Sequence, residues 1–268
     1  MAFDINNFVI DRVVRGVALS QKDDSVLFSI NQMQNVSLNC ASESTDAVDA
    51  LGTPIATFYR AKSAEFSAEN ALFDMNLMST QLGTAKKVAS AEKKIVVPAM
   101  ESFIVEGTTY TLKHTPLVAP TEIYELNGDS TFGVKYAKAT SASETAFSFA
   151  DKTITLQIEV KDETGRVTTP GIPVGTEMFV MYEYETADAV EVVNSATEFP
   201  VGCKFVMEVL GCDVCDQTNL IYAYVIFPNF KLSPDFDWNI ATDGTHPFSG
   251  RAQQDYCDRE KKLDLIAA

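Results

Sequence analysis

The sequence is poor in the residues that carry catalysis. It holds two histidines, His114 and His246, and a single tryptophan, Trp238. His114 lies in TLKHTPLVAP and His246 directly precedes a proline in TDGTHPFSG, so both read as turn or strand-end residues. There is no Gly-x-Ser-x-Gly elbow, no phosphate-binding loop and no His-Glu-x-x-His helix. Their absence argues against an enzyme and leaves only a carboxylate pair, which spacing alone cannot single out among 37 acidic residues. No run of about 18 apolar residues occurs, and the lead MAFDINNFVIDRVVRG carries charges where a signal peptide needs an apolar block. The expectation is a protein made and used outside any membrane.

Positive charge is also scarce. Twenty-one Lys and Arg face 37 Asp and Glu across 268 residues, giving a formal net charge of -16 and a pI near 4.5. Such a surface repels phosphate backbones and anionic lipid, because affinity for nucleic acid rests on cations displacing counterions. This balance argues against tight DNA binding.

Cysteine is few and odd in number: Cys40, Cys203, Cys212, Cys215 and Cys257. That count suits a reduced compartment better than a disulfide framework. Cys212 and Cys215 have the spacing of a metal knuckle, but zinc asks for four ligands and none of Cys40, Cys203, Cys257, His114 and His246 stands at knuckle spacing from another. A redox pair needs a helix N-terminus, whereas GCDVCDQTN joins two strand-like runs and carries Asp213 and Asp216, which oppose a thiolate. The reading is a hairpin connection with Gly211 and Asn219 as its turn residues. DFDWNIATDG fails as a calcium loop, with Ile240 in place of the glycine and His246 in place of the glutamate. No metal, cofactor or catalytic residue is expected.

What the chain does have is apolar bulk and alternation. It is 46% hydrophobic, with 17 Phe and 9 Tyr, enough for a sizeable core in one or two domains. TITLQIEV places Ile154, Leu156, Ile158 and Val160 on one face, and KFVMEVL does the same with Phe205, Met207 and Val209. SVLFSI, TTYTLK, EIYEL, EMFVMYEYET and IYAYVIF are further strands bounded by turn residues. The fold class is mainly β, a sandwich or barrel-like architecture. One helix interrupts it, over 67–82, with Ser67 as N-cap and Gly83 as stop. Its second apolar edge, Phe73 and Leu77, asks for either a neighbouring subunit or a wide core contact.

Three zones follow: residues 1–97 with an extended lead, a strand pair and the helix; 98–190, wholly strand-like; and 191–268, strands and then an irregular polar tail. Lys86, Lys87, Lys93 and Lys94 form the most basic patch, a solvated link or a partner for an acidic face of another copy. Tyr222 and Tyr224 share one strand face, as a sugar-stacking platform or an ordinary sheet would have them.

Residues 49–83, DALGTPIATFYRAKSAEFSAENALFDMNLMSTQLG, and 227–263, FPNFKLSPDFDWNIATDGTHPFSGRAQQDYCDREKKL, resemble the major tail tube proteins of tailed bacteriophages. The resemblance covers the first and last thirds of the chain. It implies a tube β-sandwich with one helix, in which 98–190 enlarges the sandwich or inserts an Ig-like β domain. It also implies a virion tail protein made in the host cytoplasm, whose copies form hexameric rings with inner sheets joined edge to edge. Stacked rings, together with other tail proteins, would then conduct genomic DNA without binding it specifically. An acidic lumen would suit that passage.

Under this resemblance the lead residues Phe8, Val9, Ile10, Val13 and Val14 would contact the adjacent ring, an edge strand of the monomer being the other reading. Phe73 and Leu77 of the helix, and Phe230 and Phe248 of the 229–260 segment, would contact neighbouring copies. A head-decorating or baseplate protein, a carbohydrate-binding β-sandwich and a hydrolase with an acid pair are the alternatives.

Overall fold

The computed structural model describes residues 8–254 and 263–267. Its elements in chain order are β1 (Phe8–Ser20), β2 (Val26–Ile30), β3 (Met33–Val48), β4 (Pro54–Asn70), α1 (Met75–Leu82), β5 (Lys87–Val88), β6 (Ile95–Ile104), β7 (Thr109–Thr111), β8 (Glu122–Leu126) and β9 (Phe132–Ala139). There follow β10 (Ala146–Ala150), β11 (Thr153–Thr155), β12 (Val160–Lys161), β13 (Val167–Thr169), β14 (Glu177–Thr186), β15 (Val190–Glu191), β16 (Gly202–Asp213), β17 (Asp216–Leu232), β18 (His246–Ala252) and β19 (Asp264–Ala267). The fold is mainly β with one short helix, as the alternation predicts. Residues 87–191 cluster as one compact unit and the flanking segments as another.

In the flanking unit one sheet runs in the order β2-β1-β16-β17-β18-β4-β3, with β19 added on β17. Its core follows the period of two: Cys203, Phe205, Met207 and Val209 of β16 and Ala223, Val225 and Phe227 of β17 point inward and are buried. The sheet curls on itself, since Phe28 of β2 and Phe248 of β18, far apart in strand order, lie with ring centroids 6.4 Å apart. Phe66 of β4 sits among Phe205, Phe227, Phe230 and Phe248 at centroid distances of 5.3 to 6.0 Å. Tilted and edge-on rings at this range add about 0.5–1.5 kcal/mol per pair to their burial.

The helix is shorter than the spacing predicts. Residues 67–70 belong to β4, because Ala64, Phe66, Ala68 and Asn70 are buried in alternation with Glu65, Ser67 and Glu69, and β4 is paired there with β3 on one side and β18 on the other. Two ladders of hydrogen bonds outweigh the helical spacing of a few apolar residues. The N-cap is Asp74, not Ser67, and its Oδ1 accepts from the backbone N–H groups of Asn76 (2.8 Å) and Leu77 (2.7 Å). Gly83 does end the helix, at φ +70, and a Cβ there would come within 2.2 Å of the Phe199 backbone.

Two further expectations change. TITLQIEV is no continuous strand: it pairs as β11 only to Thr155, then runs irregularly past a bridge between Ile158 and Ile172 to β12, where Val160 is exposed. The Cys212–Cys215 region is a hairpin, but its turn is Val214 and Cys215, with Asp213 opposite Asp216. Gly211 lies inside β16, where a Cβ would meet the Val9 carbonyl oxygen at 2.2 Å, so glycine is needed for close approach of β1. Asn219 lies inside β17, in a three-residue bulge between Asp216 and Leu220.

The 87–191 unit has a sheet in the order β6-β14-β8-β9-β10-β11-β7. It too closes on itself, because Phe103 of β6 stacks on Tyr110 of β7, the other end of the strand order, at 3.8 Å. Ile123, Phe147, Ile154, Met178 and Val180 fill its centre. Beside them is a buried carboxylate, Glu101. It accepts hydrogen bonds from the hydroxyl of Tyr182, the hydroxyl of Tyr110 (3.2 Å) and the backbone N–H of Lys113 (3.0 Å). Three donors replace the water that burial removes.

Candidate assembly surfaces

β1 carries five of the residues expected to meet other copies. It pairs with β16 along its whole length but with β2 only from Gly16 to Leu19, so the outer edge of Phe8–Arg15 has no strand on it among the described residues. Bulges at Asp11 and Val14 break the alternation, which explains how Phe8, Val9, Ile10, Val13 and Val14 can crowd together on one strand. Phe8 and Val13 pack half-buried on the core, Val14 is half-buried, and Val9 and Ile10 are exposed. This segment is thus a strand of the sheet, and the lead ahead of it, residues 1–7, lies outside the described residues.

On this end of the sheet Arg15, Glu208 and Tyr224 tie three neighbouring strands. Arg15 Nε stands 2.7 Å from Glu208 Oε2, and the Tyr224 hydroxyl donates to Glu208 Oε1 at 3.2 Å. Desolvation, and then that hydrogen bond, pushes the Tyr224 phenol above its ordinary pKa.

Three of the expected contact residues cannot reach another copy. Leu77, Phe230 and Phe248 are buried in the flanking unit's own core. Their apolarity serves the fold, and the sequence offers no way to tell the two uses apart. Phe73 is partly exposed, but it is sandwiched between Trp238 (4.2 Å, 9°) and His246 (4.9 Å, 22°). That stack pins the 233–245 connection against the start of α1. His246 Nδ1 accepts from the Asp74 N–H at 3.3 Å, so Nε2 carries the proton and donates to Gln81 Oε1 at 2.8 Å. Burial holds the His246 pKa below its ordinary value, against the pull of Asp74.

A further candidate surface, not expected from the sequence, lies on β3 and β4. β3 and β4 form a hairpin in which every residue from Ser37 to Ser63 is exposed. β18 covers β4 only over Glu65–Asn70, so beyond that point no further strand pairs with the ribbon among the described residues. From the Cys40–Ala64 pair to the Val48–Pro54 pair is eight residues along β3, about 27 Å at 3.4 Å per residue. Phe58 (55% exposed) and Tyr59 (74%) stand on this ribbon, with Val48, Leu51 and Ile55 nearer its tip. The signal was present in PIATFY, whose apolar residues do not alternate as a half-buried strand requires.

Among the described residues, no three His, Cys, Asp or Glu side chains are grouped to hold a metal ion, and no helix is long and apolar enough to cross a membrane. Cys40, Cys203, Cys212 and Cys215 are free, and Cys257 lies outside the described residues. A bridge within the chain from the hairpin to Cys203 is ruled out: nine residues of strand separate Cys212 from it, about 30 Å, against the 4.4–6.8 Å a disulfide spans.

These features define a curled, mainly antiparallel β protein in which the outer edge of β1 and an exposed ribbon are left unpaired among the described residues. The chain belongs to the YomU/Tube protein family, whose model matches residues 8–261. The resemblance to phage tube proteins is borne out by that match. No curated protein matches the chain.

Proposed function

We propose that this chain is the repeating subunit of a phage tail tube, forming hexameric rings that stack into a DNA-conducting channel, and that it performs no catalysis. The observation that carries the reading is the β3–β4 ribbon. A two-stranded ribbon with both faces in water is marginally stable on its own. Exposed aromatic residues on bare strand edges are what proteins otherwise avoid. Seated on a neighbouring copy, the ribbon gains both the cover and the pairing it lacks. The bare edge of β1 supports the same reading, since an edge-to-edge ring consumes such edges. The net charge of -16 suits a channel from which DNA must slide freely.

Phe58→Ser combined with Tyr59→Ser tests the ribbon. Both side chains are exposed in the single chain, so the variant is expected to keep the monomer's thermal stability while losing the sedimenting polymer. A variant that polymerises as the parent does would remove the ribbon from the assembly.

A further inference from the structure

The 87–191 unit carries a second uncovered apolar surface, on the outward face of its sheet. In β14 the inward residues are Met178, Val180 and Tyr182, all buried, which leaves Glu177, Phe179, Met181, Glu183 and Glu185 facing out. Register places Met181 opposite Met100, Phe179 opposite Ser102 and Tyr124, and Glu185 opposite Val96. Met100 is 66% exposed and Met181 is 52% exposed, and Ile104 continues the row. Tyr124, Phe132 and Phe179 extend it across three strands, with centroid distances of 5.3 and 5.1 Å.

The outer face of an antiparallel sheet is usually polar, so a row of Met, Phe and Ile there asks for a cover. The nature of that cover can be read from two features. The rings are tilted at 48° and 49° and pack on one another, so they do not offer the open coplanar faces a sugar would stack on. Paired methionines are instead the adaptable apolar surface typical of protein contacts. The rim is acidic: Glu177, Glu183 and Glu185 enter none of the ion pairs among the described residues, while Glu122 is held by Lys135 at 2.8 Å. A fitting partner therefore brings apolar surface flanked by cations.

The cations that such a partner needs are present in this chain. Lys93 and Lys94 stand exposed in the turn just before β6, in no ion pair among the described residues, and outnumber the adjacent Glu92. In β6 itself Pro98 removes a donor from the edge that no strand pairs among the described residues, so a neighbour is directed to the face and away from strand addition. We infer that in the assembled tube this face is covered by the 87–191 unit of a neighbouring copy, whose Lys93–Lys94 turn meets the glutamate rim. The contact is head-to-tail, as a polar tube requires. The inference rests on the tube reading.

Methionine oxidation by dilute peroxide tests it on the full chain. In unassembled protein Met100 and Met181 should oxidise readily and Met178, fully buried, should not. In sedimented polymer Met100 and Met181 should react at least tenfold more slowly. Lys93→Glu with Lys94→Glu should abolish that protection, and adding Glu183→Lys with Glu185→Lys should restore it. Polymer in which both methionines react as in the free chain overturns the inference and leaves the tube reading standing. Protection already present in the free chain, or protection indifferent to the lysine reversal, overturns the assigned occupant. Failure of the parent chain to form polymer at any concentration would defeat the tube reading itself.

Discussion

Two side chains show how burial sets chemistry residue by residue. Glu101 is in no ion pair among the described residues and is kept in the core by two phenols and a backbone N–H. Desolvation first, and then the bond to Glu101, raises the pKa of Tyr182. Glu101→Ala strands three donors, and a buried donor left without a partner costs about 1–3 kcal/mol, so the 87–191 unit should lose about 3–9 kcal/mol in urea unfolding. A loss under about 1 kcal/mol would mean water takes the carboxylate's place. Cys203 is the counterpart in the flanking unit: burial alone pushes its thiol up to about 12. Alkylation of the native protein at pH 8, read by mass spectrometry, should label Cys40 and Cys215 and spare Cys203 until the chain unfolds.

At the scale of elements, the join between α1 and β18 carries a pH dependence. The folded state holds His246 neutral, its Nδ1 committed to the Asp74 N–H and its pKa below 6.5. As pH falls through 6.5 the unfolded chain takes up a proton that the folded chain refuses, so stability drops with pH in that window. Thermal melts between pH 7.5 and 5.5 should show this decline in the parent and a flatter profile in His246→Gln. An equal slope in both would assign the decline to other groups. The same join shows what could be read in advance. Strands such as KFVMEVL and IYAYVIF were legible because one face is buried and the other wet. The helix starts later than its spacing predicts because Ala68, Ala71 and Leu72 satisfy a helical period by chance, while 67–70 are held extended by ladders to β3 and to β18, the latter some 180 residues away. Of the candidate surface residues, Val9 and Ile10 are accessible, whereas Phe230 and Phe248 form the core. An aromatic residue reads the same in either place, and only topology separates them. The ribbon was missed for the converse reason: two strands with neither face buried lack the alternation by which strands are recognised.

At the scale of the whole molecule, surfaces left bare in one chain would be completed by others. The ribbon, the outer edge of β1 and the Met100–Met181 face are three such surfaces, and their cover would come from copies of the same chain. Assembly should then be cooperative and steeply dependent on protein concentration, because closing a ring covers several of these surfaces together. The acidic surface opposes it at long range, so added salt should promote it. Electron microscopy of the purified full-length protein, concentrated at moderate salt, tests the central claim most directly. Hollow tubes built of stacked six-subunit rings are the expected result, and a chain that stays monomeric across that range would contradict it.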